Sequence, residues 1–301
     1  MLPGLLFTRW RPRLGKLSAL EALLVARAAS IEGRGGSAAM TRWQQHCQRA
    51  WLDETRPAVV AWPWENHPWE RDFTLCARRA GTRTIGYQHT VVGRHAYNQG
   101  ADSNTSGLDE IPDTIALNGP GYWDDLQSRG IPGERMVEAG AHRIAGSRHL
   151  RFDPNGPVFA ALSHHPGFAA QMIEALRPLA GPDREVLAKD HPLSPYPFDN
   201  TPHFTRTKVP FDRLPALSAF VYCTGTSGLE SALAGIPTLR FIPKGGVALD
   251  ILPHGVNIPP VSAETLAETL ASPPTPDIRS ADDVFSIPDW PVWAKLFETK
   301  A

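Results

Sequence analysis

The chain of 301 residues carries 30 Lys and Arg against 31 Asp and Glu, so its net charge of -1 excludes a general attraction to nucleic acid or to an anionic membrane. Its three cysteines, Cys47, Cys76 and Cys223, lie far apart without C-x-x-C spacing, which argues against a disulfide framework or a thiolate metal site and fits a reducing cytoplasm. With 42% hydrophobic content the length suits two domains, and no apolar run approaches the roughly 18 residues that span a bilayer, so any membrane association is peripheral.

The first segment, Met1 to about Arg56, is helical in pattern and shows no signal-peptide cleavage site. Leu17, Leu20, Leu23 and Leu24 recur at helical spacing, and Thr41 to Asp53 repeat the signal with Trp43, Cys47 and Trp51 on one side. Gly33 to Gly36 make a loop between them. From Pro57 the pattern turns to strands. Ala58 to Trp62 predict a buried strand, a helix through Phe73, Leu75, Cys76 and Ala80 ends at Gly81, and Thr84 to Tyr87 predict a second strand. This βαβ pattern puts Glu65 and His89 just past the carboxyl ends of neighbouring strands, where a catalytic pair belongs. The alternative role for Glu65 is a helix cap, and that for His89 is a structural hydrogen bond. Glu70 reads as solvated or ion-paired.

Gly93 to Asp113 are polar and without apolar periodicity, which predicts a mobile surface loop of the kind that forms lids. A strand at Thr114 to Leu117, a helix through Trp123 and Leu126, a strand at Val137 to Gly140 and a polar crossover from Arg143 to Asn155 follow, with a domain boundary near Asp153. The next unit opens with a strand at Pro157 to Leu162 and the turn Ser163-His164-His165-Pro166-Gly167, then a helix through Met172, Leu176 and Leu179. Glu185 to Ala188 predict a strand that ends in Lys189-Asp190-His191-Pro192, and Phe204 to Lys208 an extended piece.

The stretch from Ser218 to Pro243 organises this half. Phe220 to Cys223 form a buried strand, Thr224-Gly225-Thr226-Ser227-Gly228 a small polar turn, and a helix runs to Gly235 and is stopped by Pro237. A βα turn of this kind offers hydroxyls and backbone N–H groups to a phosphate or another anion, or is a plain connection. Ser227 and Glu230 fit a capping box, while the competing role for Glu230 is a ribose hydroxyl. The turns at Ser163, Lys189 and Thr224 converge on one edge of a parallel sheet. Ser262 to Ala271 predict a helix, and Asp289 to Phe297 a last helix that packs back across the domain junction.

The turn His191-Pro192 followed downstream by Thr226-Ser227 resembles the donor-site motifs of bacterial sialyltransferases and related Kdo transferases that use CMP-activated sugars. The spacing from Glu230 to Pro237 is similar to the end of the nucleotide-sugar site of GT-B glycosyltransferases, and Trp64-Glu65, Trp69-Glu70 and Ile85 to His89 resemble the acceptor half of surface-carbohydrate biosynthesis proteins. The resemblance spans Val59 to Pro243. It implies an α/β, GT-B-like fold: a shortened acceptor-side Rossmann-like domain over 1–153, a nucleotide-sugar domain over 154–275 and a tail over 276–301. It implies transfer of an acidic sugar from CMP to a glycan or glycolipid acceptor, in the cytoplasm or at the inner face of the inner membrane. His191 and Pro192 with Ser163, His164 and Lys189, and Thr224, Gly225, Thr226, Ser227 and Gly228, would hold nucleotide and phosphate; Glu230 would meet the ribose.

Glu65 is the first candidate for the base and His89 the second. No D-x-D occurs, so no metal ligand and no cofactor is expected. G-x-S-x-G is absent around Ser227, which argues against a serine hydrolase, and His164-His165 are too close in sequence to converge on one ion. Trp62, Trp64 and Trp69 are either a sugar-stacking platform or core. A UDP- or GDP-sugar transferase, or a non-catalytic partner that keeps the GT-B shape, are the alternatives.

Overall fold

A computed structural model describes residues 4–5, 8–12, 14–15, 17–31, 33, 36–142, 150–250, 252–275 and 281–298. Most of the crossover from Arg143 and the start of the tail lie outside the described residues. Two helices open the chain, α1 (Ala19–Ile31) and α2 (Gly36–Thr55). The fold is α/β with two parallel sheets, one of four strands and one of six.

The first sheet holds β1 (Val59–Pro63), β2 (Arg83–Tyr87), β3 (Thr114–Leu117) and β4 (Met136–Glu138) in chain order, every pair parallel. Parallel neighbours need crossovers, supplied here by α3 (Pro68–Arg79) after β1 and α4 (Trp123–Gln127) after β3. Alternation along the strands divides the side chains between two faces. Val60, Trp62, Ile115 and Leu117 share a core with Leu52 of α2 and with Phe73 and Ala77 of α3. On the other face Ile85, Ala116 and Ala139 are covered by Val292, Trp293 and Leu296 of the last helix, α8 (Trp290–Phe297). Asp289 caps that helix by accepting from the Val292 N–H at 3.0 Å, and Trp293 Nε1 donates to the Ala139 carbonyl at 2.9 Å. Trp62 and Trp64, at 8% and 0% exposure, are core, and Trp69 packs against them, so the sugar-platform alternative is set aside.

The second sheet holds β5 (Val158–Ala161), β6 (Val186–Lys189), β7 (Phe204–Arg206), β8 (Ala219–Tyr222), β9 (Thr238–Phe241) and β10 (Pro260–Val261) in the order β10-β9-β8-β5-β6-β7, again all parallel. Both faces are covered, which is why its strands read as continuous apolar runs. Phe159, Phe220 and Tyr222 face α6 (Thr226–Leu233), and Val158, Ala160 and Val221 face α5 (Pro166–Leu176). A short helix, α7 (Leu266–Ala271), closes the unit. In chain order this is the doubly wound arrangement, and the winding reverses between β5 and β8.

Two expectations are corrected. The Gly93–Asp113 segment is packed: it carries two short 3-10 helices and buries Ala101 and Ile111. It is pinned by Asn66 Nδ2, which donates to the Asn98 carbonyl at 2.6 Å, by Arg71 to the Ser103 carbonyl at 2.9 Å, and by Arg78 to the Asp109 and Ile111 carbonyls at 2.7 Å each. Side chains outside the segment satisfy its backbone, which apolar periodicity within it does not reveal. The aromatic stripe of α2 is also turned outward, with Trp43 and Trp51 at 42% and 44% exposure.

The sheets are joined by one apolar core that runs from Trp64 and Tyr122 to Tyr222, Leu229 and Leu252. Polar contacts reinforce the junction: the His95 N–H donates to the Asp250 carbonyl at 3.0 Å, the Asp250 N–H donates to His95 Nδ1 at 2.8 Å, and the His254 N–H donates to Asp125 at 2.9 Å.

Candidate functional site

Strand register alone sets out two rows of side chains. Ala161 lies opposite both Lys189 and Tyr222. Counting two residues on from each places Ser163, His191 and Thr224 side by side on the strands that flank the switch point, where open sheets bind ligands. In the first sheet Pro63 pairs with Tyr87 and Tyr87 with Ala116, which places Glu65, His89 and Asn118 in the corresponding row. Tyr122, in the turn after β3, is buried and its phenol is pushed well above its ordinary range, first by burial and then by the charges of Asp125 and Glu230. Glu230 sits on α6, so a charge of the second unit acts on the buried turn after β3.

At the second sheet, Gly225 has φ +136°, a backbone conformation that favours glycine, and it is the residue from which α6 starts. No side chain caps α6. Ser227 lies inside the helix and Glu230 toward Tyr122, so the capping-box expectation is corrected, and the first backbone N–H groups of α6 have no intrahelical partner. A Cβ on Gly228 would come within 2.4 Å of the Tyr222 ring, so glycine is what seats the helix on the strand end. The Thr224 hydroxyl is buried and has no hydrogen-bond partner among the described residues. Ser163 is 1% exposed and its Oγ accepts the His165 N–H at 3.1 Å. Burial pushes the adjacent Cys223 thiol up to about 11, so it stays protonated at neutral pH.

The rings of His164 and His191 stand 5.7 Å apart. Burial, then the charge of His164, holds His191 below the ordinary imidazole range. Its Nδ1 accepts the Leu193 N–H at 3.3 Å, which puts the proton of the neutral ring on Nε2. Pro192 is exposed in the tight turn closed by the His191–Ser194 bridge. Asp190 is ion-paired with Arg206 and accepts the Tyr196 N–H at 3.1 Å, so the turn has a fixed shape. The Lys189 ammonium donates to the Val209 carbonyl at 2.6 Å.

At the first sheet the Glu65 carboxylate sits between two imidazoles, 2.7 Å from His67 Nε2 and 3.3 Å from His89 Nε2. The cap position of α3 is His67, so Glu65 is not the cap. Beneath this loop Glu70 is 1% exposed, a correction to its reading as solvated. One of its oxygens, Oε2, accepts the N–H groups of Glu65 at 3.0 Å and Asn66 at 2.8 Å, and Trp62 Nε1 at 3.3 Å. Asn66 turns the chain with φ +57°, and the Glu65 carbonyl accepts from Asn98 at 2.7 Å. Glu65 is thus presented by a loop held from both sides.

Sequence reasoning left out Asn118, Tyr122 and His67. Asn118 is 1% exposed, and neither amide atom of its side chain has a partner among the described residues, nor has the Tyr122 hydroxyl. A polar residue and a glycine directly after the strand Thr114 to Leu117 were the available signal. Among the described residues no group of three or more His, Cys, Asp and Glu is placed to hold a metal ion.

No known family model matches the chain, and no curated protein does. Among solved structures it is similar to Anabaena HepE in complex with UDP and glucose, at 13% identity and a TM-score of 0.45 over 86% of this chain and 87% of that one. It is similar to Arabidopsis thaliana UGT89C1 complexed with quercetin, at 12% identity and a TM-score of 0.48 over 86% and 72%. It is also similar to the UDP-N-acetylglucosamine 2-epimerase of Rickettsia bellii, at 13% and 0.45 over 74% and 69%. Likeness at these identities concerns the path of the chain and assigns no residue.

Proposed function

We propose that the chain is a GT-B glycosyltransferase that takes an acidic sugar, of the sialic or Kdo type, from a CMP-activated donor and passes it to a bacterial surface glycan or glycolipid. The observation that carries this reading is the row of Ser163, His191 and Thr224 at the reversal of winding, beside an uncapped helix start. A donor of this kind leaves as a phosphate monoester, and donors aimed at the charge that develops there lower the barrier. The first N–H groups of α6, the hydroxyls of Thr224, Thr226 and Ser227 and the Nε2–H of His191 are donors of that type, with His164 beside them. Glu230 is the ribose contact in this scheme.

Glu65 then takes the proton of the acceptor hydroxyl. The acceptor oxygen bonds to the anomeric carbon as the bond to the phosphate oxygen breaks, and that electron pair leaves with CMP. His67 and His89 hold the carboxylate in place.

Calorimetry with CMP, UDP and GDP tests the reading. His191→Ala and Ser227→Ala are expected to weaken CMP binding by about tenfold or more, since each removes a donor to an anion. Unchanged affinity in both variants would remove the donor-site assignment. Tighter binding of UDP or GDP would move the donor to that nucleotide, and heat-silent mixing with all three would favour a non-catalytic partner.

A further inference from the structure

The helix α1 is out of place on a globular surface. Its sequence, ALEALLVARAASI, is apolar on every side, yet of its residues only Ala29 is buried. Leu20, Leu23, Leu24 and Ile31 are 66%, 65%, 56% and 67% exposed, and Trp10, upstream of the helix, is 48% exposed. A helix apolar all round is stable only where something covers it, and a patch of large aliphatic side chains marks a contact surface. At 13 residues it spans about 20 Å, too short to cross a bilayer, and no helix among the described residues is long and apolar enough to do so.

Charge selects the occupant. Over the first 35 residues Arg9, Arg11, Arg13, Lys16, Arg27 and Arg34 stand against Glu21 and Glu32 alone, whereas the whole chain has a net charge of -1. The positive charge is therefore concentrated on the segment that carries the uncovered leucines. The adjoining cleft, of about 1300 Å³, is lined by Trp10 with Arg42, His46, Arg49 and Arg71, along with the carboxylates Asp72 and Glu110. Arg49 is already paired with Asp72 at 2.6 Å, which leaves the cleft's balance cationic. Exposed leucines and tryptophan beside a basic cluster are what an anionic bilayer surface binds: the side chains enter the acyl boundary while arginines meet the headgroups.

We propose that α1 and its flanking arginines seat the protein on an anionic membrane surface. The helix α1 belongs to neither sheet, and the proposal stands whether or not the chain transfers sugar. If it does, the acceptor is an amphiphile that the enzyme meets at the bilayer, a corollary that rests on the transfer reading.

The test is co-sedimentation of the full chain with phosphatidylcholine vesicles, with and without about one third phosphatidylglycerol. Partition onto the anionic vesicles is expected to exceed that onto neutral ones by about tenfold or more at low salt and to fall several-fold at 0.5 M salt. The combined variant Leu20→Ser, Leu23→Ser and Leu24→Ser removes no buried contact, so its melting temperature and its response to CMP should match the parent while vesicle binding drops about tenfold or more. Equal binding to neutral vesicles, or binding retained by the variant, would overturn the proposal. So would absence of vesicle binding together with a concentration-dependent dimer that the variant abolishes, since α1 would then be a contact between copies of the chain.

Discussion

Glu70 illustrates how a carboxylate can matter without touching a substrate. Burial raises its pKa above the ordinary value, and the N–H groups of Glu65 and Asn66 and the Trp62 indole oppose that rise only in part. The sign follows: a carboxyl group whose folded value is raised binds more protons in the native state, so its contribution to stability is present below the unfolded value near 4.5 and is lost as pH rises through the folded one. Glu70→Gln should therefore flatten that part of the stability profile, with the parent losing ground to the variant as pH rises above 4.5 in urea titrations. Glu70→Ala strands buried N–H groups and should cost about 2–4 kcal/mol at pH 7. A parent and Gln variant with parallel pH profiles would show that the pKa of Glu70 is the same in the folded and unfolded chain. Nothing local in Pro68-Trp69-Glu70 announced this role, because the donors come from the turn preceding the helix and from a strand residue eight positions back. The pairing of Glu65 with His89 was legible, since both follow a strand by the same two residues.

Among the elements, α6 shows most directly how packing sets up a candidate site. Its seat depends on Gly228 above the Tyr222 ring, and its starting geometry on Gly225. Gly228→Ala should cost about 1–3 kcal/mol by overpacking, and because relief requires the helix to lift, it should also weaken nucleotide binding. Stability lost with unchanged CMP affinity, measured by denaturation and calorimetry on the same variant, would separate the helix start from the binding of the anion. The strands of both sheets were readable from apolar runs bounded by glycine, proline and polar turns, as at Thr114–Leu117. Less readable was β10, whose Pro260 and Val261 are too few to make a pattern. The segment after Gly93 misled because its order is supplied by arginines 78, 129 and 135, remote in sequence.

For the whole molecule the decisive feature is that the sheets share one apolar core, with Trp64 and Tyr122 from one side and Tyr222 and Leu229 from the other. Two units joined through such a core should melt together, so calorimetry is expected to give a single transition whose calorimetric and van't Hoff enthalpies agree. Two resolved transitions would mean the junction is weaker than its packing implies. The sheet order, with its reversal between β5 and β8, could not be read from the chain, because pairing between distant strands leaves no local mark. The carboxyl-edge turns could be read, since polar residues after apolar strands do leave one.

The docking of α8 on the first sheet has a bearing on how the protein is made. Ile85, Ala116 and Ala139 are covered by Val292, Trp293 and Leu296, and Gly119 and Gly121 rest against Val284 and Phe285. The first sheet therefore waits, with one side bare, for residues that are made only after every strand of the second sheet. Domains usually fold in the order of their synthesis. Here the later half can complete itself while the earlier one still needs shielding, so a chaperone that holds nascent chains should raise the yield of this protein more than that of one whose first domain closes on its own.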